Sequence, residues 1–325
     1  MKAIVQHAYG GPEVLGLEDV DKPAVGDGEV LVRVRAASVN PLDWHFMRGE
    51  PRIMRISSGL RKPKQVSAGV DFAGTVESVG RNVMQFKSRD AVFGGRSGAF
   101  AEYVSVPEDK QIVHKPANVT FEEAAAVPVA AITALQALRD GGHVESAQSV
   151  LINGAGGGVG TFAVQIAKSF GARVTGVTST TNLEMVSEIG ADEVIDYIKV
   201  DFTRSERRYD LIIDIAGNRS WSECKRVLHS NSTFVVVGGL SKKPWLGPIG
   251  HSAALSVNSF RASQRVVPLF LAKLSKEDLV LLQGLLESGK VKPVIDRTYS
   301  LSETSEAIRY LEQGHARGKV VITVA

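Results

Sequence analysis

The sequence predicts an α/β protein in which a β-rich, barrel-like region precedes a doubly wound parallel sheet. Three observations lead to this prediction. Short strand-like runs with glycine and proline between them fill the first part of the chain. From residue 150 onward, apolar runs alternate with helical patterns. Where that alternation begins, the apolar run 150–153 ends at Gly154, and a glycine-rich turn leads into a helix.

The β-rich region combines β-branched and aromatic residues with partial alternation of apolar and polar side chains, and turn residues separate its runs. We expect strands at residues 30–36, 74–80, 90–94 and 100–106. Because short strands joined by such turns are typical of closed or partly closed sheets, this region is expected to be barrel-like.

Residues 48–66 differ from the strands around them because they are basic and contain Pro51 and Pro63. The cations are Arg48, Arg52, Arg55, Arg61, Lys62 and Lys64. We expect a mobile surface segment, which is either an ordinary solvated loop or a lid over an active site.

The second part of the chain begins near residue 120. Thr120 and Glu123 fit a capping box that begins a helix, which we expect to run to about Arg139 before Gly141 and Gly142 end it. Apolar runs suited to a sheet buried on both faces then alternate with helices. Strands are expected at 150–153, 174–178, 193–196, 211–214 and 234–237, with helices at 158–170 and 182–189.

The pattern weakens after residue 239. Ser275 is expected to cap a helix that runs to about Leu286. Late strands are expected at 291–295 and 319–324. Because the parallel sheet already has its strands, these late strands are expected to join the first region.

Size and composition limit the class of protein. The chain has 325 residues, 44% hydrophobic and 22% charged, which suits one large or two ordinary globular domains. A net charge of +3 is too small to argue for nucleic-acid binding. The single cysteine, Cys224, allows neither an internal disulfide nor a four-cysteine zinc site. We expect a cytoplasmic protein without a signal peptide, and without a membrane span because the apolar stretch 124–138 is short and interrupted.

The glycine-rich turn predicts a dinucleotide site. Glycines allow a sharp turn and close approach of a ligand, and the following helix presents unpaired N–H groups to a phosphate. The residues expected to contact the pyrophosphate are Ala155, Gly156, Gly157, Gly158, Val159 and Gly160. A glycine-rich turn without a ligand is the alternative.

The end of the second strand of the parallel sheet indicates which dinucleotide binds. An NAD site would place Asp or Glu there to bind the ribose hydroxyls. Residues 177–182 carry no acid, so a 2′-phosphate would not be repelled, and NADP(H) is favoured over NAD. Hydrogen bonds are expected from Ser179, Thr180 and Asn182. Lys199 is the candidate cation, and Tyr197 could reach the phosphate.

Several longer motifs resemble the zinc-independent quinone oxidoreductase and enone reductase branch of the medium-chain dehydrogenase/reductase superfamily. These motifs cover nearly the whole chain. They are residues 37–44 (ASVNPLDW), 69–74 (GVDFAG), 98–104 (GAFAEYV), 128–134 (PVAAITA), the glycine loop, 190–197 (GADEVIDY) and 318–321 (GKVV).

The resemblance implies a GroES-like, β-barrel-type substrate domain and a Rossmann NADP-binding domain with a doubly wound parallel sheet. The substrate domain would comprise residues 1–122 and 266–325, and the Rossmann domain residues 123–265. It further implies an active site in the cleft, a homodimer joined through the Rossmann sheets, and NADPH-dependent hydride transfer to a small-molecule quinone or α,β-unsaturated carbonyl compound.

The resemblance also places the zinc-ligand positions of related alcohol dehydrogenases in this sequence. These positions carry Asn40, residues 70–71 and residues 131–133, and none offers a thiolate. No metal is therefore expected. Reduction of a conjugated acceptor remains feasible because its carbon is already electrophilic, and the site then needs orientation and donors for an enolate oxygen.

Five residues are candidates for catalytic roles by analogy with the family. Asn40 would hold the ribose or the acceptor oxygen, and Thr133 the carboxamide of the nicotinamide. Asp43 would orient neighbours or relay a proton, as would Asp71. His45 stands where relatives often carry lysine, and it could protonate the enolate. For each of them a purely structural role is the alternative.

Other residues are expected near the nicotinamide or the substrate. Gly238 and Gly239 would bring backbone close to the nicotinamide, and Phe260 would wall the cleft. An apolar pocket could involve Trp44, Phe46, Phe93 and Trp245. Thr181 stands where relatives often carry arginine, which weakens the preference for NADP. Two alternatives to the reductase remain open: a non-catalytic, crystallin-like NADPH-binding protein and a zinc alcohol dehydrogenase.

Overall fold

The computed structural model describes residues 1–238, 255 and 262–325. The chain divides into two compact units. The mixed-sheet unit comprises Met1–Ile132, Leu274–Gly289 and Pro293–Ala325, and the parallel-sheet unit comprises Thr133–Lys273 and Lys290–Lys292. Both boundaries lie several residues later than the expected positions after residues 122 and 265. Of the predicted site residues, Gly239 and Phe260 lie outside the described residues, as does Trp245.

The mixed-sheet unit is built on antiparallel strands. Its strands are β1 (Lys2–Gln6), β2 (Leu15–Asp19), β3 (Glu29–Val39), β4 (Asp71–Val79), β5 (Ala91–Gly95), β6 (Tyr103–Pro107), β7 (Ile112–His114), β14 (Ile295–Ser300) and β15 (Lys319–Thr323). Its helices are α1 (Pro41–Arg48), α2 (Arg55–Ser58), α3 (Phe121–Ala125), α8 (Lys276–Glu287) and α9 (Thr304–Glu312), and 3₁₀ turns occur at Pro12–Val14, Arg52–Met54 and Leu301–Glu303.

The seven-stranded sheet of this unit has the order β14-β15-β3-β4-β5-β7, and β6 pairs with the amino end of β3. The eleven-residue β3 is its centre because it contacts β15, β4 and β6. Alternate apolar residues of β3, including Val30, Val32 and Val34, are fully buried in one core with Phe72 and Phe100. The carboxyl end of β3 therefore leads directly into α1 from a rigid position.

The late strands join the mixed-sheet unit, as the sequence predicts. β15 pairs antiparallel with β3, and β14 pairs parallel with β15. The expected strand at residues 291–295 is wrong, because the strand begins only at Ile295. Pro293 lies in the expected segment, and it has no N–H group to contribute to a ladder.

The parallel-sheet unit alternates strands and helices. Its strands are β8 (Ser149–Asn153), β9 (Arg173–Thr178), β10 (Glu193–Asp196), β11 (Tyr209–Asp214), β12 (Leu228–Val236) and β13 (Arg265–Val267). Its helices are α5 (Gly158–Ser169), α6 (Leu183–Glu188) and α7 (Trp221–Cys224), with 3₁₀ turns at Thr180–Asn182, Phe202–Arg204 and Lys225–Val227. The strand order β10-β9-β8-β11-β12-β13 is wholly parallel.

This order places the first strand of the alternation, β8, beside β11, where the chain reverses its direction of winding. In open parallel sheets, ligands bind outside the carboxyl ends of the strands at such a switch point. Leu151, Ile212 and Ile213 are buried on the strands that form it. The turns that follow β8 and β11 therefore lie where a ligand is expected to bind.

The apolar helix expected to run from residue 121 to about Arg139 is interrupted. It consists of α3, then α4 (Pro128–Gln136), and a π-helical turn over Ala137–Gly141. Pro128 begins α4, since proline lacks an N–H donor and restricts the residue before it. The capping box at Thr120 is confirmed, because its side chain accepts from the Glu123 N–H at 3.1 Å. None of the described helices combines the length and apolar character that crossing a bilayer requires.

Candidate functional site

The glycine loop turns sharply between β8 and α5. Gly154 has φ of +94°, a left-handed conformation that favours glycine. The N–H groups of Gly154 and Ala155 both donate to the Val177 carbonyl of β9, at 3.1 and 3.0 Å. The loop is therefore tied by its own backbone to the neighbouring strand.

The loop glycines differ in what a side chain would meet. A Cβ on Gly160 would lie 2.1 Å from the Gly154 carbonyl oxygen, and a Cβ on Gly156 would lie 2.5 Å from Thr178 Oγ1. In the part of the chain that the structure describes, a Cβ on Gly157 would meet only the Gly154 oxygen, at 3.6 Å. Gly156 and Gly160 are thus required by the fold, whereas Gly157 borders open space.

The helix that follows the loop presents its amino end without a side-chain cap. Gly157 is the N-cap residue of the twelve-residue α5. Within residues 1–238, 255 and 262–325, no side chain accepts from the first N–H groups, which include those of Gly158, Val159 and Gly160. Unpaired N–H groups and the positive end of the helix dipole favour an anion. The loop and helix together fit the pyrophosphate of a dinucleotide.

Asn182 lies against this loop. Its side chain is within 2.7 Å of where a Gly156 Cβ would lie, and the residue is 8% exposed. Among the described residues, the buried Oδ1 atom has no hydrogen-bond partner. A buried acceptor without a partner is costly, so this amide is suited to accept from a bound ligand.

The structure places an acid beside the predicted specificity residues, which sequence reasoning missed. Asp196 ends β10, and its Oδ2 accepts from Thr180 Oγ1 at 2.6 Å. This bond and that from the Ile198 N–H lower the pKa of Asp196. The Thr180 proton is therefore directed to Asp196 and not to a ligand, and an ionised carboxylate lies close to the expected position of a 2′-phosphate.

A signal for this acid was available in the sequence. Asp196 and Thr178 are register partners on neighbouring parallel strands, so the ends of β9 and β10 meet at one edge.

The other residues predicted near the 2′-phosphate lie around this edge. The hydroxyl of Ser179 forms a hydrogen bond with that of the exposed Thr181 at 3.0 Å. Lys199 Nζ lies 3.8 Å from Asp196 Oδ2, and Tyr197 is 43% exposed.

Two further features lie at the carboxyl ends of the central strands. Asn153 Nδ2 donates to Asp214 Oδ1 at 2.8 Å, so the two switch-point strands are joined by buried side chains that the sequence did not single out. Gly238 follows β12, and a Cβ there would lie 2.3 Å from the Ile215 carbonyl oxygen. This position requires glycine for close packing, while its contact with nicotinamide stays a prediction.

The mixed-sheet unit contains a buried polar cluster at the carboxyl end of β3. Asp71 is fully buried, and its Oδ2 accepts from Ser38 Oγ and Asn40 Nδ2, both at 2.9 Å. Its Oδ1 accepts from the Val129 N–H at 3.0 Å, in the first turn of α4. The carboxylate therefore fixes Asn40 and caps a helix at the same time.

Lys319 supplies the cation of this cluster and was not predicted as a site residue. Its Nζ donates to Asn40 Oδ1 at 2.6 Å and lies 3.8 Å from Asp71 Oδ2, and the side chain is only 2% exposed. Burial lowers the pKa of Lys319 and raises that of Asp71, while their mutual attraction opposes both shifts. The buried charges thus balance each other.

Asn40 has little capacity left for a ligand. Its Nδ2 donates to Asp71 and, at 3.4 Å, to the Ser38 carbonyl, while its Oδ1 accepts from Lys319. With both amide protons directed inward, Asn40 cannot donate to an acceptor oxygen as the family analogy suggests. A lone pair on Oδ1 is what remains for a ribose hydroxyl.

Asp43 completes the cluster. Its Oδ2 accepts from the Asn40 N–H at 2.7 Å, in the capping box of α1. Burial is the main cause that raises its pKa to about 7, and the charge of Asp71 adds to the effect. Asp43 therefore titrates near neutral pH while it holds the backbone of Asn40.

His45 is less available as a proton donor at neutral pH than the sequence suggests. Its Nδ1 lies 2.8 Å from the Glu50 carbonyl oxygen, so Nδ1 carries the proton, and its ring stacks on Trp44 at 3.7 Å. Burial lowers its pKa. At neutral pH this side chain is an uncharged, packed ring.

Thr133 lies half-buried on α4 within the parallel-sheet unit.

The residues at the family's zinc-ligand positions do not fit a zinc ion. Val70 offers no donor, and Asn40 Oδ1 and Asp71 Oδ2 already face the Lys319 ammonium. A second cation would have to displace that group. Over residues 1–238, 255 and 262–325, no cluster of three His, Cys, Asp or Glu side chains is arranged to hold a metal.

Comparisons with known proteins agree with this arrangement. A model of the alcohol dehydrogenase GroES-like domain matches residues 26–117, and a model described as zinc-binding dehydrogenase matches residues 189–322. The second description names a metal that the donor set at positions 40, 70 and 71 does not suit.

Relatives that align with nearly the whole of this chain are also found. The chain is 35% identical, over 99% of its length and 79% of the relative's, to the 2-methylene-furan-3-one reductase of Solanum lycopersicum. It is 32% identical, with the same coverage, to the chloroplastic NADPH-dependent alkenal/one oxidoreductase of Arabidopsis thaliana. The solved quinone oxidoreductase of Coxiella burnetii is 30% identical, with a TM-score of 0.86 over 100% of this chain and 99% of that one.

Proposed function

This chain belongs to the quinone oxidoreductase branch of the medium-chain dehydrogenase/reductase superfamily, and we propose that it is an NADPH-dependent reductase of quinones or α,β-unsaturated carbonyl compounds. The observation that carries the proposal is the glycine loop that leads from β8 into the uncapped amino end of α5 at the switch point of the sheet. The names of the relatives supply the class of acceptor.

The residues of the parallel-sheet unit bind and orient the dinucleotide in this proposal. The N–H groups at the start of α5 bind the pyrophosphate, with Gly157 leaving room for it. When bound, NADPH supplies the hydride. Asn182 Oδ1 accepts from the cofactor, and Ser179, Thr180 and Tyr197 lie around the adenosine phosphate. Thr133 and Gly238 are proposed to lie near the nicotinamide.

We propose that the Asn40 amide of the mixed-sheet unit accepts from a ribose hydroxyl of the cofactor. Lys319 and Asp71 fix the Asn40 amide, and Asp43 fixes its backbone. A fixed amide costs no reorganisation when a hydroxyl binds to its remaining lone pair. Because His45 is packed and uncharged at neutral pH, we propose that the proton that follows the hydride comes from solvent.

The proposal extends to metal independence, oligomeric state, localisation and cofactor preference. We propose that reduction is zinc-independent, since the cation at the ligand positions is Lys319. We also propose a homodimer and a cytoplasmic protein, although the name of one relative places that relative in the chloroplast. The ionised Asp196 beside Thr180 supports only a modest preference for NADPH over NADH.

Oxidation of NADPH tests the proposal. The full chain is mixed with NADPH and a panel of benzoquinones, naphthoquinones and enones, and absorbance of the reduced nicotinamide is followed. We expect turnover with at least one conjugated acceptor and none with simple alcohols and NADP⁺. Tight NADPH binding without oxidation by any acceptor would contradict the reductase and favour the non-catalytic NADPH-binding protein.

A further inference from the structure

The segment Arg52–Lys64 has an unusual distribution of polar and apolar side chains. A 3₁₀ turn, Arg52–Met54, continues into α2, Arg55–Ser58. Ile53 and Ile56 lie three residues apart, which places them on one side of this helical run, and they are 44% and 70% exposed. Leu60, just beyond the helix, is 72% exposed. The apolar side of the segment therefore faces solvent.

The polar side of the same run faces the protein. Arg55 donates from Nε to the Gly49 carbonyl and from Nη2 to the Arg48 carbonyl, both at 2.9 Å. Ser58 Oγ and the Gly59 carbonyl lie 2.9 and 2.8 Å from the Tyr9 hydroxyl. These bonds anchor the segment to the mixed-sheet unit, and they leave its apolar side outward.

Charge adds a second, independent observation. Between Glu50 and Asp71 the sequence holds five cations and no acid. Among these cations, Arg61, Lys62 and Lys64 are exposed and immediately follow the exposed Leu60. Cations beside outward apolar side chains match a surface that combines negative charge with an apolar layer beneath it.

We propose that residues 52–64 form a docking surface for an anionic lipid bilayer. Arg61, Lys62 and Lys64 approach the headgroups. Ile53, Ile56 and Leu60 insert at the boundary with the acyl chains. A nucleic acid fits less well, because residues 51–66 contain no aromatic residue on which a base could stack. The docking is peripheral, and it requires neither turnover nor a spanning helix.

Co-sedimentation with vesicles tests the proposal with the full chain. We expect binding to vesicles of equimolar phosphatidylcholine and phosphatidylglycerol, little binding to phosphatidylcholine alone, and weaker binding at higher salt because exposed charges are screened. Lys62→Glu/Lys64→Glu should lower partitioning by about tenfold or more. Ile56→Ser/Leu60→Ser should lower it by about fivefold.

Matched variants control for charge and for apolar area. Lys225→Glu/Arg226→Glu makes the same change in net charge at exposed positions of the parallel-sheet unit. Met84→Ser/Leu271→Ser removes apolar side chains that are 87% and 79% exposed. Both control proteins should bind anionic vesicles within about twofold of the unsubstituted protein, because their changes lie outside the proposed surface.

Two results would overturn the proposal. One is equal binding of all proteins to anionic vesicles, or equal losses in the test and control variants. The other is unchanged vesicle binding by the 62/64 and 56/60 variants together with a higher KM for a water-soluble quinone. That second result would assign the segment to the substrate, as a lid.

Discussion

The glycine loop of the parallel-sheet unit and the polar cluster of the mixed-sheet unit are built in opposite ways. The loop is one continuous stretch of backbone, from Gly154 to Gly160, whose shape is set by missing side chains. The cluster is a set of side chains that includes Asn40 and Lys319, which are 279 residues apart and joined at 2.6 Å. A backbone site tolerates changes in its surroundings, whereas a buried network depends on every member.

The largest effect is expected for the cation of the cluster. Lys319→Met leaves the buried Asp71 carboxylate without its opposite charge and Asn40 Oδ1 without its donor. The free energy of unfolding should fall by about 3–5 kcal/mol, measured by urea denaturation. The double variant Asp71→Asn/Lys319→Met should recover at least about 2 kcal/mol. A loss below about 1 kcal/mol for the single variant would show that the cluster is not a unit.

The titration of Asp43 should make the stability of the polar cluster depend on pH. Its pKa of about 7 lies above its unfolded value, so the folded protein holds this proton more tightly. The resulting stability is present at low pH and is lost as pH rises from about 4 to about 7, by up to about 4 kcal/mol. Asp43→Asn keeps an acceptor for the Asn40 N–H and removes the titration. Its unfolding free energy should vary less over this window, and parallel curves for the two proteins would contradict the assignment.

Where the glycine loop faces open space, a substitution should lower the affinity for NADPH and leave the stability of the protein unchanged. Gly157→Ala adds a methyl group that meets only one atom, at 3.6 Å, so the unfolding midpoint should change little. The dissociation constant for NADPH, measured by fluorescence titration, should rise about tenfold, since the methyl group obstructs the phosphate. Gly160→Ala is the contrasting variant, because its Cβ would lie 2.1 Å from a carbonyl oxygen and should impair both properties. Unchanged NADPH affinity in Gly157→Ala would place the pyrophosphate elsewhere.

The smallest effect concerns Asp196, where a side chain modifies the backbone site. Asp196→Asn removes a carboxylate that lies against Thr180. Affinity for NADPH should rise about threefold relative to NADH, because less negative charge then opposes the 2′-phosphate. Equal changes for both nucleotides would show that Asp196 acts on the loop and not on the phosphate.

The same contrast explains what the sequence predicts and what it does not. The order of strands and helices, the loop and the capping box at Thr120 depend on neighbours in the chain, and local patterns report such neighbours well. The role of Lys319 depends on β15 returning beside β3, which no local pattern contains. Asn40 was singled out by family resemblance, yet the bonds that direct both of its amide protons inward come from distant residues.

The missed features differ in how far their causes lie from local sequence patterns. The helix break at Pro128 has a local cause, so a stricter reading of the proline predicts it. To predict the acid beside Thr180, only the register of two adjacent parallel strands is needed in addition to the local pattern. To predict that Arg55 faces inward and that Ile53 and Ile56 face outward, the position of Tyr9 must be known. The sequence alone shows only that segment 52–64 is basic.

The position of Lys319 on β15 also bears on how the chain folds during synthesis. Strands β3 and β4, with Asn40 and Asp71, leave the ribosome before β15, and their buried cation follows 248 residues after Asp71. At about 5–20 residues per second this interval is roughly 12–50 s. Nearly all of the parallel-sheet unit is made within that interval and can fold at once. The first strands wait as an incomplete sheet with an unbalanced carboxylate, so nascent chains stalled before residue 319 should be the ones that chaperones retain.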